Sequence, residues 1–214
     1  MDFETEEQQV EALKKWWKEN GKQVIFGAVI GFGLIFGWRY YLQYSATQKS
    51  EASALFEQVI KDSSDSKLLV DKSAVFEKIK KDYNNTAYFP SAALVLAKAY
   101  YDAGNKTEAI EVLDQVIMSN GESVLILVAQ ERKARILIDL GKADEALDVL
   151  SVAVSDEFES IFEELKGDAY VVKGNVEKAR NAYDKALLLN KSSDKKFLQM
   201  KRDNLGDSLV SPTA

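Results

Sequence analysis

SAALVLAKAYYDAGNKTEAIEVLDQVI (residues 91–117), LVAQERKARILIDLGKADEALDVLSVAV (127–154) and IFEELKGDAYVVKGNVEKARNAYDKALLL (161–189) share one register. Each reads as an apolar-striped helix, then a Gly with a polar residue, then a second helix opening on an Ala. The glycines are Gly104, Gly141 and Gly174, and the alanines five later are Ala109, Ala146 and Ala179. The glycines are 37 and 33 residues apart, as in an array of helical hairpins of about 34 residues each. A Gly between two helices supplies a tight turn with φ > 0. A small residue at the Ala position lets the second helix press against the first. A generic helical bundle does not require the same residue types at the same offsets, so the repeats predict an all-α solenoid.

Upstream, Ala52, Leu55, Phe56 and Val59 form one apolar face within a helix over 45–61. Asp62–Lys67 (DSSDSK) is a polar, turn-rich break. Leu69, Ala74, Phe76 and Ile79 restore helical spacing, and Asn84-Asn85-Thr86 closes that helix. Residues 45–89 thus read as a linker helix and a degenerate repeat. Pro90 falls at a helix start, where a missing N–H does no harm. Downstream, Lys195–Asn204 carries Phe197, Leu198 and Met200 and reads as a capping helix. The three repeats and cap therefore occupy 90–206, and 207–214 is expected to be a flexible tail.

Val24 to Trp38 holds no charged or strongly polar side chain. As a helix, Val24–Tyr44 would be about 31 Å long, close to the hydrocarbon thickness of a bilayer. A cleaved signal peptide ends in small residues, whereas this run ends in Trp38, Arg39, Tyr40 and Tyr41. A soluble core helix would carry a polar stripe. Residues 23–44 are therefore read as one transmembrane helix of an uncleaved anchor. Lys14, Lys15, Lys18 and Lys22 precede it and predict a cytoplasmic N-terminal segment, 1–22, with the rest across the membrane. Within that segment Val10, Leu13 and Trp17 follow helical spacing. Trp16 and Trp17 on one side, and Trp38, Tyr40, Tyr41 and Tyr44 on the other, suit the two lipid interfaces. Gly27/Gly31 and Gly33/Gly37 would admit a close neighbouring helix, or simply reflect the frequency of Gly in such spans.

The 214 residues carry a net charge of −6 and include two prolines, no Cys and no His. Thiol and imidazole chemistry is absent, and no basic stripe suggests nucleic acid. Acidic pairs such as Glu163-Glu164 and Asp156-Glu157 are expected on solvated helix faces or at helix starts. The reading is of a non-enzyme with no catalytic residue, cofactor or metal.

The repeats resemble the tetratricopeptide repeat. Gly167, Tyr170, Gly174, Ala179, Tyr183 and Ala186 of the third unit fall on its signature positions. The second unit keeps Ala134, Leu137, Gly141, Ala146, Leu150 and Ala153. The first keeps Ala97, Tyr100, Gly104, Ala109 and Leu113, with Val116 where Ala is usual. The Pro after each second helix is missing, and the 37-residue spacing implies a longer helix or turn after the first unit. The resemblance implies a protein-binding groove lined from each first helix. By register its candidates are Leu94, Lys98 and Tyr101; Glu131, Arg135 and Ile138; and Glu164, Asp168 and Val171. Ser91, Asp102, Val128, Asp139, Ile161 and Val172 share those faces. The mixture suits an extended peptide and does not resemble the basic, Asn-bearing clamp for a C-terminal carboxylate.

The whole layout resembles the YfgM family of ancillary SecYEG translocon subunits. The shared features are the acidic start (Glu4, Glu6, Glu7), KKWWKENGK at Lys14–Lys22, the Gly-rich span and the repeats. The resemblance implies a bacterial inner-membrane scaffold or co-chaperone with a periplasmic domain. Its partners would be the SecYEG translocon, a PpiD-type membrane-anchored chaperone, membrane lipid and exported nascent chains. A different class of function would be a regulator that holds a cytoplasmic stress-response protein through residues 1–21.

Overall fold

The computed structural model describes residues 6–63, 69–119, 123–192 and 195–206. Glu4, most of the DSSDSK break and the tail 207–214 lie outside these residues, as do the side chains of Glu6, Glu7 and Leu69. All regular structure among the described residues is helical. The order is α1 (Glu6–Ser63), α2 (Leu69–Asp82), α3 (Tyr88–Asp102), α4 (Lys106–Ile117), α5 (Ser123–Asp139), α6 (Ala143–Val149), α7 (Asp156–Val172), α8 (Val176–Leu189) and α9 (Lys196–Asp203). The chain divides into two compact units, Met1–Ser50 and Glu51–Ala214.

The first unit is the greater part of α1. It includes one stretch long and apolar enough to cross a membrane, none of it buried in protein. Phe26 and Leu34 are each 70% exposed, which in water alone would be costly for side chains of this size. Nothing lies within 4 Å of a Cβ placed on Gly27, Gly31, Gly33 or Gly37. Gly21 differs, because the Trp17 indole lies over it.

In the second unit the repeats pair as α3 with α4, α5 with α6, and α7 with α8. Ala109, Ala146 and Ala179 are fully buried, as their small size at the helix crossings requires. Ahead of them, Ala52, Val59, Phe76 and Ile79 share the core of the first pair. The Tyr83 hydroxyl donates to Glu51 at 2.8 Å, and Phe56 packs on Tyr88. Ala74, expected on the apolar face, is exposed; the buried row on α2 runs through Phe76 and Ile79.

The expected turns form three times over. Gly104, Gly141 and Gly174 have φ of 83°, 75° and 70°. At each, the Gly N–H donates back to Tyr101, Ile138 or Val171, and the next N–H donates to Tyr100, Leu137 or Tyr170. This pairing caps the orphan carbonyls of the first helix and needs a left-handed residue. A Cβ on Gly141 meets no atom within 4 Å, so its cost is that of the backbone conformation alone. Gly141→Ala is expected to destabilise by about 1 kcal/mol. Thermal unfolding should show a midpoint roughly 2–4 °C lower.

The longer helix or turn expected after the first unit is a longer helix, while one boundary differs from the sequence expectation. α6 has seven residues against twelve in α4, so the longer spacing of the first unit reflects its longer second helix. Ala153, read as a second-helix position, lies beyond the end of α6 and is exposed. The capping helix forms, but only Leu198 of its apolar residues is buried; Phe197 is 62% and Met200 50% exposed.

Candidate functional site

The inner faces of α3, α5 and α7 carry the nine candidates, and they separate into three environments. Lys98, Tyr101 and Arg135 line one cleft of about 340 Å³ between α3 and α5. Its floor is Ala97, Leu113 and Ile136, all buried. Arg132 completes the rim. Its Nη1 donates to the Leu94 carbonyl at 3.0 Å and so ties α5 to α3. Arg132 was not among the residues the register selects. Its own position is off the predicted stripe, and only its length brings the guanidinium across; no sequence signal marks that reach.

Leu94 itself is 7% exposed and packs into the core, and its carbonyl is taken by Arg132, so its side chain does not line the cleft. Ile138 is half-buried against the second and third hydrophobic clusters. Glu131 accepts from Arg135 Nε at 2.6 Å, and Lys98 pairs with Asp102 at 2.5 Å. Both pairs are local to one helix, and pairs of this kind contribute a few tenths of a kcal/mol.

At the end of the cleft the Tyr101 hydroxyl donates to Asp139 at 3.0 Å, and Lys106 reaches the same carboxylate at 2.7 Å. The hydrogen bond from Lys106, with that from Tyr101, holds the Asp139 carboxyl below the usual carboxylate range. The same bonds push the Tyr101 phenol and the Lys106 ammonium above theirs. This cluster fixes Tyr101, which remains 40% exposed.

The third environment is already occupied. Lys201 of α9 reaches across to α7 and contacts both Glu164 and Asp168 at 2.7 Å. Asp168 also accepts from the Tyr183 hydroxyl at 2.7 Å. Burial, reinforced by that bond to Asp168, pushes the Tyr183 phenol far above its ordinary range. Val171 remains exposed beside them. The pair Glu163-Glu164, expected on a solvated face, is instead engaged on both members. Glu163 is 8% exposed and accepts from Lys166 at 2.8 Å and from Lys185 of α8 at 3.1 Å. Burial opposes its ionisation, but the two ammonium groups outweigh that and hold the carboxyl below its usual range. Its contribution to stability is therefore present above the ordinary carboxylate pKa and is lost as pH falls through the depressed value.

Among the described residues no group of three or more acidic side chains is arranged to hold a metal ion.

Comparison with known proteins places these features in context. A family model described as a tetratricopeptide repeat-like domain matches residues 14–207. A protein of Haemophilus influenzae named ancillary SecYEG translocon subunit is 31% identical over 200 residues, covering 94% of this chain and 97% of its own. The protein of that name from Escherichia coli K12 is 30% identical over 204 residues, covering 95% and 98%. A solved MamA RS-1 ArsTM double mutant shares the helical fold at a TM-score of 0.51 and 20% identity, over 73% of this chain and 86% of its own.

Proposed function

The chain belongs to the tetratricopeptide repeat-like family of ancillary SecYEG translocon subunits, and from that membership we propose that it serves protein export as a membrane-tethered binding module. α1 anchors it in the bacterial inner membrane as a single-pass protein, with the N-terminus in the cytoplasm and the repeats in the periplasm. The repeat domain works beside the translocon with a PpiD-type chaperone and meets newly exported chains. No catalytic step is assigned to it. The observation that carries this reading is full-length similarity to translocon subunits in a chain with an exposed apolar helix and an open inner cleft.

The physical role of the anchor is confinement. A tethered domain samples a thin layer, so its effective concentration toward emerging chains exceeds that of a free domain. Protease added to intact spheroplasts is expected to digest the repeat domain and leave an α1-containing fragment. A photo-crosslinking residue at Tyr101 in membranes is expected to capture the translocon, the chaperone or a nascent chain. Protection of the repeats until lysis, or capture of abundant unrelated proteins alone, would overturn the reading.

A further inference from the structure

The part of α1 that leads into the apolar run carries its cations on one side. Lys14, Lys18 and Lys22 recur every fourth residue, and Lys15 lies beside them. At 3.6 residues per turn the four fall within about 100° of the helix surface. Val10, Leu13, Trp16 and Trp17 take the other side. All four lysines are exposed, and among the described residues none forms a salt bridge or hydrogen bond within the protein. Over 9–23 the acidic residues are Glu11 and Glu19, and neither is paired with a lysine. Glu11 lies further from the apolar run than any of the four, so the face nearest the run is net positive.

Distance along the axis places these charges against a bilayer. With the apolar run beginning at Val24, Lys22 stands about 3 Å and Lys18 about 9 Å before it. A headgroup layer is about 5–8 Å deep, so both ammonium groups, on their long stems, reach lipid phosphates. Lys14 and Lys15 stand about 14–15 Å out, still within roughly one Debye length of that layer. Trp17 adds an apolar contact. Its indole lies 3.3 Å from a Cβ placed on Gly21, one turn nearer the apolar run. Helical side chains commonly lean the opposite way, toward the N-terminus. Gly21, with no side chain of its own, admits the ring, and the indole leans toward the bilayer. An indole at the ester level beside ammonium groups at the phosphate level matches a phospholipid, apolar below and anionic above.

We infer that the face of α1 formed by Lys14, Lys15, Lys18 and Lys22 binds acidic phospholipid headgroups, of the phosphatidylglycerol class, in the leaflet beside it. The inference rests on α1 being the membrane anchor of the proposed function and adds to it a choice of lipid. A zwitterionic headgroup also offers a phosphate, but its own cation competes for that phosphate. The net-anionic headgroup is therefore the one this face prefers, by about 1 kcal/mol for each lysine near the surface, or roughly fivefold.

The test uses the full-length chain with Trp38→Phe, which leaves Trp16 and Trp17 as reporters beside the lysines. It is reconstituted in vesicles of equal phosphatidylglycerol and phosphatidylcholine, with one or the other lipid brominated high in its acyl chains to quench nearby indoles. Quenching by the brominated phosphatidylglycerol is expected to correspond to a relative association constant at least roughly fivefold above that of phosphatidylcholine. Changing all four lysines to Gln is expected to bring the ratio to about one, whereas changing all four to Arg should preserve it. Raising the salt should lower the ratio in the Lys-bearing protein. The four positions are exposed, and an unchanged circular dichroism spectrum confirms that each variant is folded. Equal quenching by the two lipids, a preference that survives the Gln changes, or one lost equally with Arg overturns the inference. Equal quenching would leave the face to a protein partner. Flotation with vesicles after an alkaline wash reads the anchor separately. A protein that floats but does not discriminate between the lipids loses this inference alone.

Discussion

Gly167→Ala is expected to destabilise the repeat domain by about 3 kcal/mol, the reverse of what helix propensity alone would give. In an exposed helix interior, replacing Gly by Ala stabilises by up to about 1 kcal/mol. Here a Cβ on Gly167 would stand 2.3 Å from Tyr183 Cε1 and 2.4 Å from Cδ1. The ring has little room to withdraw. Tyr183 is 2% exposed, and its hydroxyl is tied to Asp168 at 2.7 Å. The clash falls between α7 and α8, so relief requires separating the two helices of the third hairpin. Thermal unfolding of the full-length protein in detergent should show the midpoint falling by roughly 6–12 °C for a domain of this size. Adding Tyr183→Ala to Gly167→Ala should cost less than the sum of the two single changes, since the collision is then gone. A midpoint that rises in Gly167→Ala would mean that α7 and α8 do not approach as closely as described.

Lys201→Met carries the second large effect, about 2 kcal/mol. The change keeps most of the aliphatic stem and removes the ammonium. Glu164 and Asp168, with side chains 21% and 19% exposed, would then face each other on α7 without their cation. Stripping a fully buried pair of one partner costs about 3–5 kcal/mol, and the residual solvent here reduces that. α9 is short and is held by Leu198, by this contact and by the Arg202–Asp184 pair at 3.0 Å, so losing the ammonium should loosen it. Hydrogen exchange over 196–203 is the direct readout, with the melting temperature beside it. Restoring neutrality with Glu164→Gln and Asp168→Asn in the Lys201→Met background should recover most of the loss. If the triple change behaves like Lys201→Met alone, the ion pairs are not what hold α9.

The parts of this molecule that were legible in the sequence are those fixed by local rules. A Gly five residues before an Ala, three times over, specifies a left-handed turn and a close helix crossing. Both appear at Gly104, Gly141 and Gly174 with the same pair of hydrogen bonds. The apolar run from Val24 was likewise visible, because a membrane-length helix needs composition and little else. What was not legible depends on which helices meet. Register assigned Glu164 and Asp168 to an open inner face, yet it could not show that Lys201 would arrive from α9. Nor could it show Arg132 leaving its own stripe to bond the Leu94 carbonyl. Periodicity names a face and is silent about its neighbour. The end of α6 at Val149 was hidden for a related reason. Leu150 is fully buried just past that end, so the apolar spacing runs on where the helix does not.

The closure of the α7 stretch by Lys201 sets a read length. Packed helices stand about 8–10 Å apart. An extended chain advances about 3.3 Å per residue. The step left open between α3 and α5 therefore spans about three residues of any occupant. A window that narrow recurs many times in almost every protein, so it cannot by itself tell one cargo from another. Under the proposed function, selectivity lies in address and timing: in which chains pass the site while still unfolded, and in how long they linger there.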